Sequence, residues 1–130
     1  MTFTTALAAE YHRRRTANPR YSLRAFASAL RISHSALSRL GRGDQHASDA
    51  TIASIGRRLN WPSARILSMM REQRFRRVAR VADSPAFVPD ARWIASRANL
   101  SLDDVQLTLH DALRTGRLDM TARDSWKVTL

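Results

Sequence analysis

Apolar residues recur every three or four positions along almost the whole chain, and strand-type alternation is nearly absent before residue 115. Such spacing lines one face of a helix, so the expected fold is mainly α. A first helix spans about Thr4 to Arg15, with Phe3, Leu7 and Tyr11 in one stripe, and Asn18-Pro19 breaks it. Ser22 is placed to cap a second helix with Leu23, Phe26, Ala27 and Leu30 inward. Ser33 caps a third with Leu37 and Leu40 inward, which ends at Gly41-Arg42-Gly43-Asp44. Ser48 and Asp49 open a fourth, with Ile52, Ile55 and Leu59 on one face; Asn60 suits a left-handed stop and Pro62 the first turn of a fifth.

The fifth helix is expected from about Pro62 to Ala82 and changes face midway. Ile66, Leu67 and Met70 form one stripe; Phe75, Val78, Ala79 and Ala82 form another. Ser84-Pro85 and Pro89 mark a junction, followed by helices over Pro89–Ala98 and Ser101–Thr115 and a hairpin from Leu118 to Leu130 with its tip at Thr121–Ser125. The expected division is therefore 1–83 and 86–130.

Charge narrows the partners. The chain carries 22 Lys and Arg against 11 Asp and Glu, and 21 of the bases are arginine. Residues 1–85 hold 16 arginines and 5 acids, while 86–130 hold 6 bases and 6 acids. A surface this basic suits a polyanion, nucleic acid before anionic lipid, and places it in the first two-thirds of the chain. The absence of cysteine removes disulfides, thiolate metal sites and thiol catalysis, and fits a reducing cytoplasm. Neither a secretory leader nor an apolar run of the roughly 18 residues a span needs is expected.

The segment Ser22–Gly43 has the ingredients of a helix-turn-helix. Ala27 is small where two helices meet, Leu30-Arg31-Ile32-Ser33 is a tight turn, and Leu37 and Leu40 face back. The polar face left over is His34, Ser35, Ser38 and Arg39, with Arg42 beyond. A helix inserted in the major groove needs such a face. Residues 4–70, including Thr51-Ile52-Ala53-x-Ile55 and Arg58-Leu59-Asn60, resemble the lambda-repressor-like (Cro/XRE-type) helix-turn-helix family; Leu37-Ser38-Arg39 stands at its Ile-Ser-Arg-like triplet. The opening from Tyr11 to Arg24 also looks like a group of predicted bacterial regulators. One position departs: Arg31 stands where the turn usually carries glycine.

The resemblance implies a five-helix DNA-binding domain in which Ser33, His34, Ser35, Ser38 and Arg39 sit at the groove. Arg39 is chemically suited to guanine O6 and N7; Arg20, Arg24 and Arg42 suit phosphates, as do Arg74 and Arg77 if the arginines between Arg71 and Arg80 form an electrostatic platform rather than a solvated linker.

Phe87–Leu130 resembles a winged-helix subdomain, with Trp93-Ile94-Ala95 in one helix, Val105, Leu109 and Leu113 in the next, then Gly116-Arg117-Leu118 and a wing strand at Trp126–Thr129. Its second helix carries Asp103, Asp104 and Asp111 against Arg114, which would repel phosphates, so dimerisation or partner docking is expected there. Arg117, Arg123 and Lys127 on the wing are the alternative contact. His12, His34, His46 and His110 lack ligand spacing, and no nucleophile or nucleotide motif is present, so neither an enzyme nor a metal or cofactor is expected. The expected function is a cytoplasmic, nucleoid-associated transcriptional regulator, a repressor acting as a homodimer on double-stranded DNA and away from membranes. A protein-interaction adaptor, antitoxin-like or phage-encoded, is the alternative.

Overall fold

The computed structural model describes residues 2–43, 46–122 and 125–129. Among these, seven helices are followed by a two-stranded antiparallel hairpin, so the fold is mainly helical. The chain divides into two compact units, Met1–Met70 and Arg71–Leu130.

In the first unit, α1 (Phe3–Ala17) starts where Thr2 accepts the Thr5 N–H and stops at extended Asn18, ahead of Pro19. Phe3, Ala6 and Leu7 are buried along its inner face, with Tyr11 half-buried. α2 (Leu23–Leu30) is capped by Ser22 and buries Phe26, Ala27 and Leu30. The turn that follows is built on Arg31, whose φ of 56° is left-handed. Arg31 N–H donates to Ser28 O and Ile32 N–H to Ala27 O, both at 3.1 Å, closing the last turn of α2. A residue with a β-carbon costs on the order of 1 kcal/mol more than glycine in that conformation.

Ser33 then caps α3 (His34–Arg42), whose end is Gly43 at φ 75°. α4 (Asp49–Arg58) is capped by Ser48 and buries Ile52, Ile55 and Gly56. Asn60, at φ 58°, turns the chain toward Pro62 and α5 (Ser63–Ala82). Gly56 permits the close approach of that helix: a β-carbon there would stand 2.7 Å from Ile66 Cγ1 and 3.2 Å from the Trp61 ring.

The first-unit core joins the inner faces of α1 to α4 with Ile66 and Met69 of α5. Leu67, expected inward, is 50% exposed, whereas Met69 is 4% exposed. Ile66 and Met69 are three residues apart and share a face; Leu67 lies one 100° step away from it.

In the second unit, the later part of α5 contributes Phe75, Val78 and Ala79 to the core. α6 (Ala91–Ala98) starts at Asp90, whose carboxylate accepts the Arg92 and Trp93 N–H groups, and ends at left-handed Asn99. Ser101 caps α7 (Leu102–Arg114), which buries Val105, Thr108 and Ala112. Leu113, expected inward, is 45% exposed, because the buried face repeats at 105, 108 and 112 and Leu113 lies one step beyond it.

After Gly116, β1 (Leu118–Ala122) pairs with β2 (Ser125–Val128), Leu118 opposite Val128 and Asp119 opposite Lys127. Arg123 and Asp124, expected at the hairpin tip, lie outside the described residues, as does Asp44, expected to end α3. The boundary between the two compact units falls inside α5, between Met70 and Arg71. Phe75, Val78 and Ala79 pack with Ile94, Val105, Ala112 and Leu118, and so belong with the second unit.

Arg117 fastens the start of the hairpin. Its guanidinium donates to both carboxylate oxygens of Glu72 at 2.7 and 3.1 Å and lies 3.8 Å from the Phe75 ring centre. Glu72 also accepts from Arg76 at 3.1 Å. The Arg117 hydrogen bonds hold the Glu72 carboxyl below its ordinary range, against the opposing effect of burial.

Candidate nucleic-acid interface

α3 is fixed by two leucines. Leu37 and Leu40 are buried in the first-unit core, and Thr4 Oγ1 on α1 donates to Leu40 O at 3.5 Å. At 100° per residue, burial of positions 37 and 40 turns 35, 38, 39 and 42 the other way and leaves 34 at the edge of the buried face. His34, Ser35, Arg39 and Arg42 are exposed and Ser38 is half-buried. Three of the five expected base-reading side chains, Ser35, Ser38 and Arg39, thus stand on one outward strip of one helix, with His34 at its edge.

Ser33 differs. Its Oγ accepts the Ala36 N–H at 3.0 Å and forms the cap of the helix. That leaves the hydroxyl proton and one lone pair for an outside partner. Arg39 and Arg42 also hold interactions within the chain.

Of the expected phosphate contacts, Arg20 and Arg24 are exposed in the first unit, at the turn before α2 and in its first turn. Arg20 is oriented from its backbone, whose N–H donates to Asn18 Oδ1 at 3.1 Å. Arg74 and Arg77 belong to the second unit and are half-buried. Arg77 Nη2 donates to Asn99 O at 3.1 Å, a capping contact at the end of α6, and Arg74 is engaged within the chain as well. The arginine run of α5 is therefore not a uniform solvated strip.

Several other arginines are structural. Arg14 donates to Glu10 at 3.0 Å and to the Tyr21 hydroxyl at 3.0 Å, with its guanidinium 5.4 Å from the Phe26 ring centre. The Tyr21 and Glu10 hydrogen bonds raise the Arg14 pKa, and the Arg13 and Arg14 contacts lower that of Glu10 against burial. Arg65 lies 4.6 Å from the Trp61 ring centre.

Arg31, on the turn into α3 where the resemblance implies glycine, is exposed.

α7 offers a different surface. Asp103 and Asp111 are exposed, Asp111 pairs with Arg114 at 3.7 Å, and Leu107 is 60% exposed. Among the described residues, no three His, Cys, Asp or Glu side chains gather as a metal cluster, and no helix is long and apolar enough to cross a membrane. No protein-family model, curated protein or solved structure matches the chain.

Proposed function

We propose that this chain is a sequence-specific duplex-DNA-binding transcriptional regulator of the helix-turn-helix kind, with α2 as the positioning helix and α3 as the reading helix. The observation that carries the reading is the outward strip Ser35, Ser38 and Arg39, with His34 at its edge, on a helix whose opposite face is locked by Leu37 and Leu40. A polar, one-sided helix of this length presents donors and acceptors to base edges in a major groove. The +11 net charge supplies the sequence-independent attraction that precedes reading. Arg39 contacts guanine; Arg20, Arg24 and Arg42 contact phosphates. The first unit is the lambda-repressor-like domain, and the protein acts as a repressor, as a dimer on a pseudo-palindrome.

The second unit is winged-helix-like, and its α7 turns Asp103, Asp111, Leu107 and Leu113 outward beside one arginine, Arg114. Carboxylates repel phosphates, so this unit serves dimerisation or partner docking. The same exposed Leu107 and Leu113 favour a second reading, in which the whole chain is a protein-interaction adaptor.

A gel-shift titration against selected and random duplex at several salt concentrations separates the two readings. A regulator binds its selected site at least about 10³-fold more tightly than random duplex. An adaptor shows charge-driven binding alone, with no such ratio.

A further inference from the structure

Five described residues have positive φ: Gly43 and Gly116 at 75°, Asn60 at 58°, Asn99 at 55° and Arg31 at 56°. Glycine and asparagine are the residues that adopt this conformation readily. Arg31 is the exception, and the chain contains its own control for it.

The α2–α3 and α6–α7 turns use one device. In each, the left-handed residue follows an eight-residue helix, the next N–H (Ile32 or Leu100) donates back to an alanine carbonyl (Ala27 or Ala95), and a serine caps the next helix. The backbone demand is the same in both turns. Where the following helix opens with Leu102, Asp103 and Asp104, the position holds asparagine; where it opens with His34 and carries Arg39 and Arg42, it holds arginine. Fold alone favours asparagine or glycine at both positions, so the reason for arginine lies in its side chain. That side chain is exposed, and it makes no ion pair or hydrogen bond among the described residues.

We infer that Arg31 binds a backbone phosphate of the duplex. The inference rests on the DNA-binding reading and adds a contact to it. The turn carrying Arg31 leads directly into the strip edged by His34, so a guanidinium there meets the phosphates that flank the groove when α3 is inserted. A strained conformation retained at a binding element is where such a residue is expected, and guanidinium to phosphate is a charge-assisted contact.

The test compares Arg31→Gly, Arg31→Asn and Arg31→Lys with the wild type by thermal melting and by fluorescence anisotropy on selected and random duplex across a salt series. Glycine and asparagine relieve the strain and remove the charge. Both should raise the melting temperature by about 3–5 °C. They should weaken binding to both duplexes by roughly tenfold and reduce the slope of log K against log salt by about 0.9. Lysine should keep the slope and give no gain in melting temperature. Variants that melt higher but bind with unchanged affinity and slope would overturn the phosphate contact, and variants that do not melt higher would overturn the strain argument beneath it. A wild type with no preference for selected duplex, yet with the slope loss in Arg31→Gly, would refute sequence reading while supporting the phosphate contact. A wild type that binds no duplex would overturn both.

Discussion

Removing the Glu72–Arg117 contact should loosen the hairpin by an amount that the geometry bounds. The two groups meet through two hydrogen bonds, at 2.7 and 3.1 Å, with side-chain exposures of 22% and 32%. Fully exposed pairs contribute about 0–1 kcal/mol and breaking a buried pair costs about 3–5 kcal/mol. A two-point contact of intermediate burial should therefore couple at about 1–2 kcal/mol. The perturbation is a double-mutant cycle with Glu72→Gln and Arg117→Met, where methionine keeps an apolar stem over Phe75. Glu72→Gln also affects Arg76, which the cycle cancels. A Trp61→Phe background leaves Trp93 and Trp126, both in the second unit, as fluorescence reporters of its unfolding in urea. The Glu72 carboxyl is held below its ordinary value of 4.5, so its contribution is complete above that pH and lost as pH falls through the lower folded value. Coupling should be full at neutral pH and fade as the solution is acidified below about pH 4.5. A coupling within about 0.3 kcal/mol of zero at neutral pH would refute the clamp.

Gly56→Ala should destabilise the first unit in thermal melts, because overpacking against Ile66 costs about 1–3 kcal/mol and exceeds the helix-propensity gain of about 1 kcal/mol. Ser33→Ala should cost about 1 kcal/mol of stability through loss of the α3 cap, measured by urea unfolding, with base preference in the selected site unchanged. A fragment of residues 1–70 should be monomeric and helical by sedimentation and circular dichroism. Residues 1–85 should associate, since Phe75, Val78 and Ala79 lose their partners Ile94, Val105, Ala112 and Leu118.

Local chemistry was the legible part of this chain. Ser22, Ser33, Ser48 and Ser101 mark helix starts because a hydroxyl in that position satisfies an orphan N–H, and all four do so. The helix-turn-helix resemblance implies a glycine-type, left-handed turn position at Arg31, and Arg31 takes that conformation. Facing partners were not legible. Leu67 and Leu113 each lie one helical step from a buried stripe, and only the neighbouring element decides which residue it covers. The boundary between the two compact units likewise follows packing, along an unbroken helix, and falls at Met70–Arg71.

For the candidate site, the sequence places Ser35, Ser38 and Arg39 on one strip opposite Leu37 and Leu40, with His34 at its edge. Charge counting does not reveal which guanidiniums are engaged internally. Arg14 on Tyr21, Arg77 on the Asn99 carbonyl and Arg117 on Glu72 add to the basic total while serving the fold. Conversely, an arginine in a turn position reads as a defect until it is set beside Asn99 in the matching turn.

The claim that α3 reads DNA is tested most directly by in vitro selection from a random duplex pool with wild type and Arg39→Ala in parallel. The wild type should enrich a two-fold symmetric sequence with half-sites about one helical turn apart. Arg39→Ala should lose the requirement for guanine at one position in each half, at a cost of about 1–3 kcal/mol on the wild-type site. A pool that stays random for the wild type, or an identical consensus from both proteins, would contradict it.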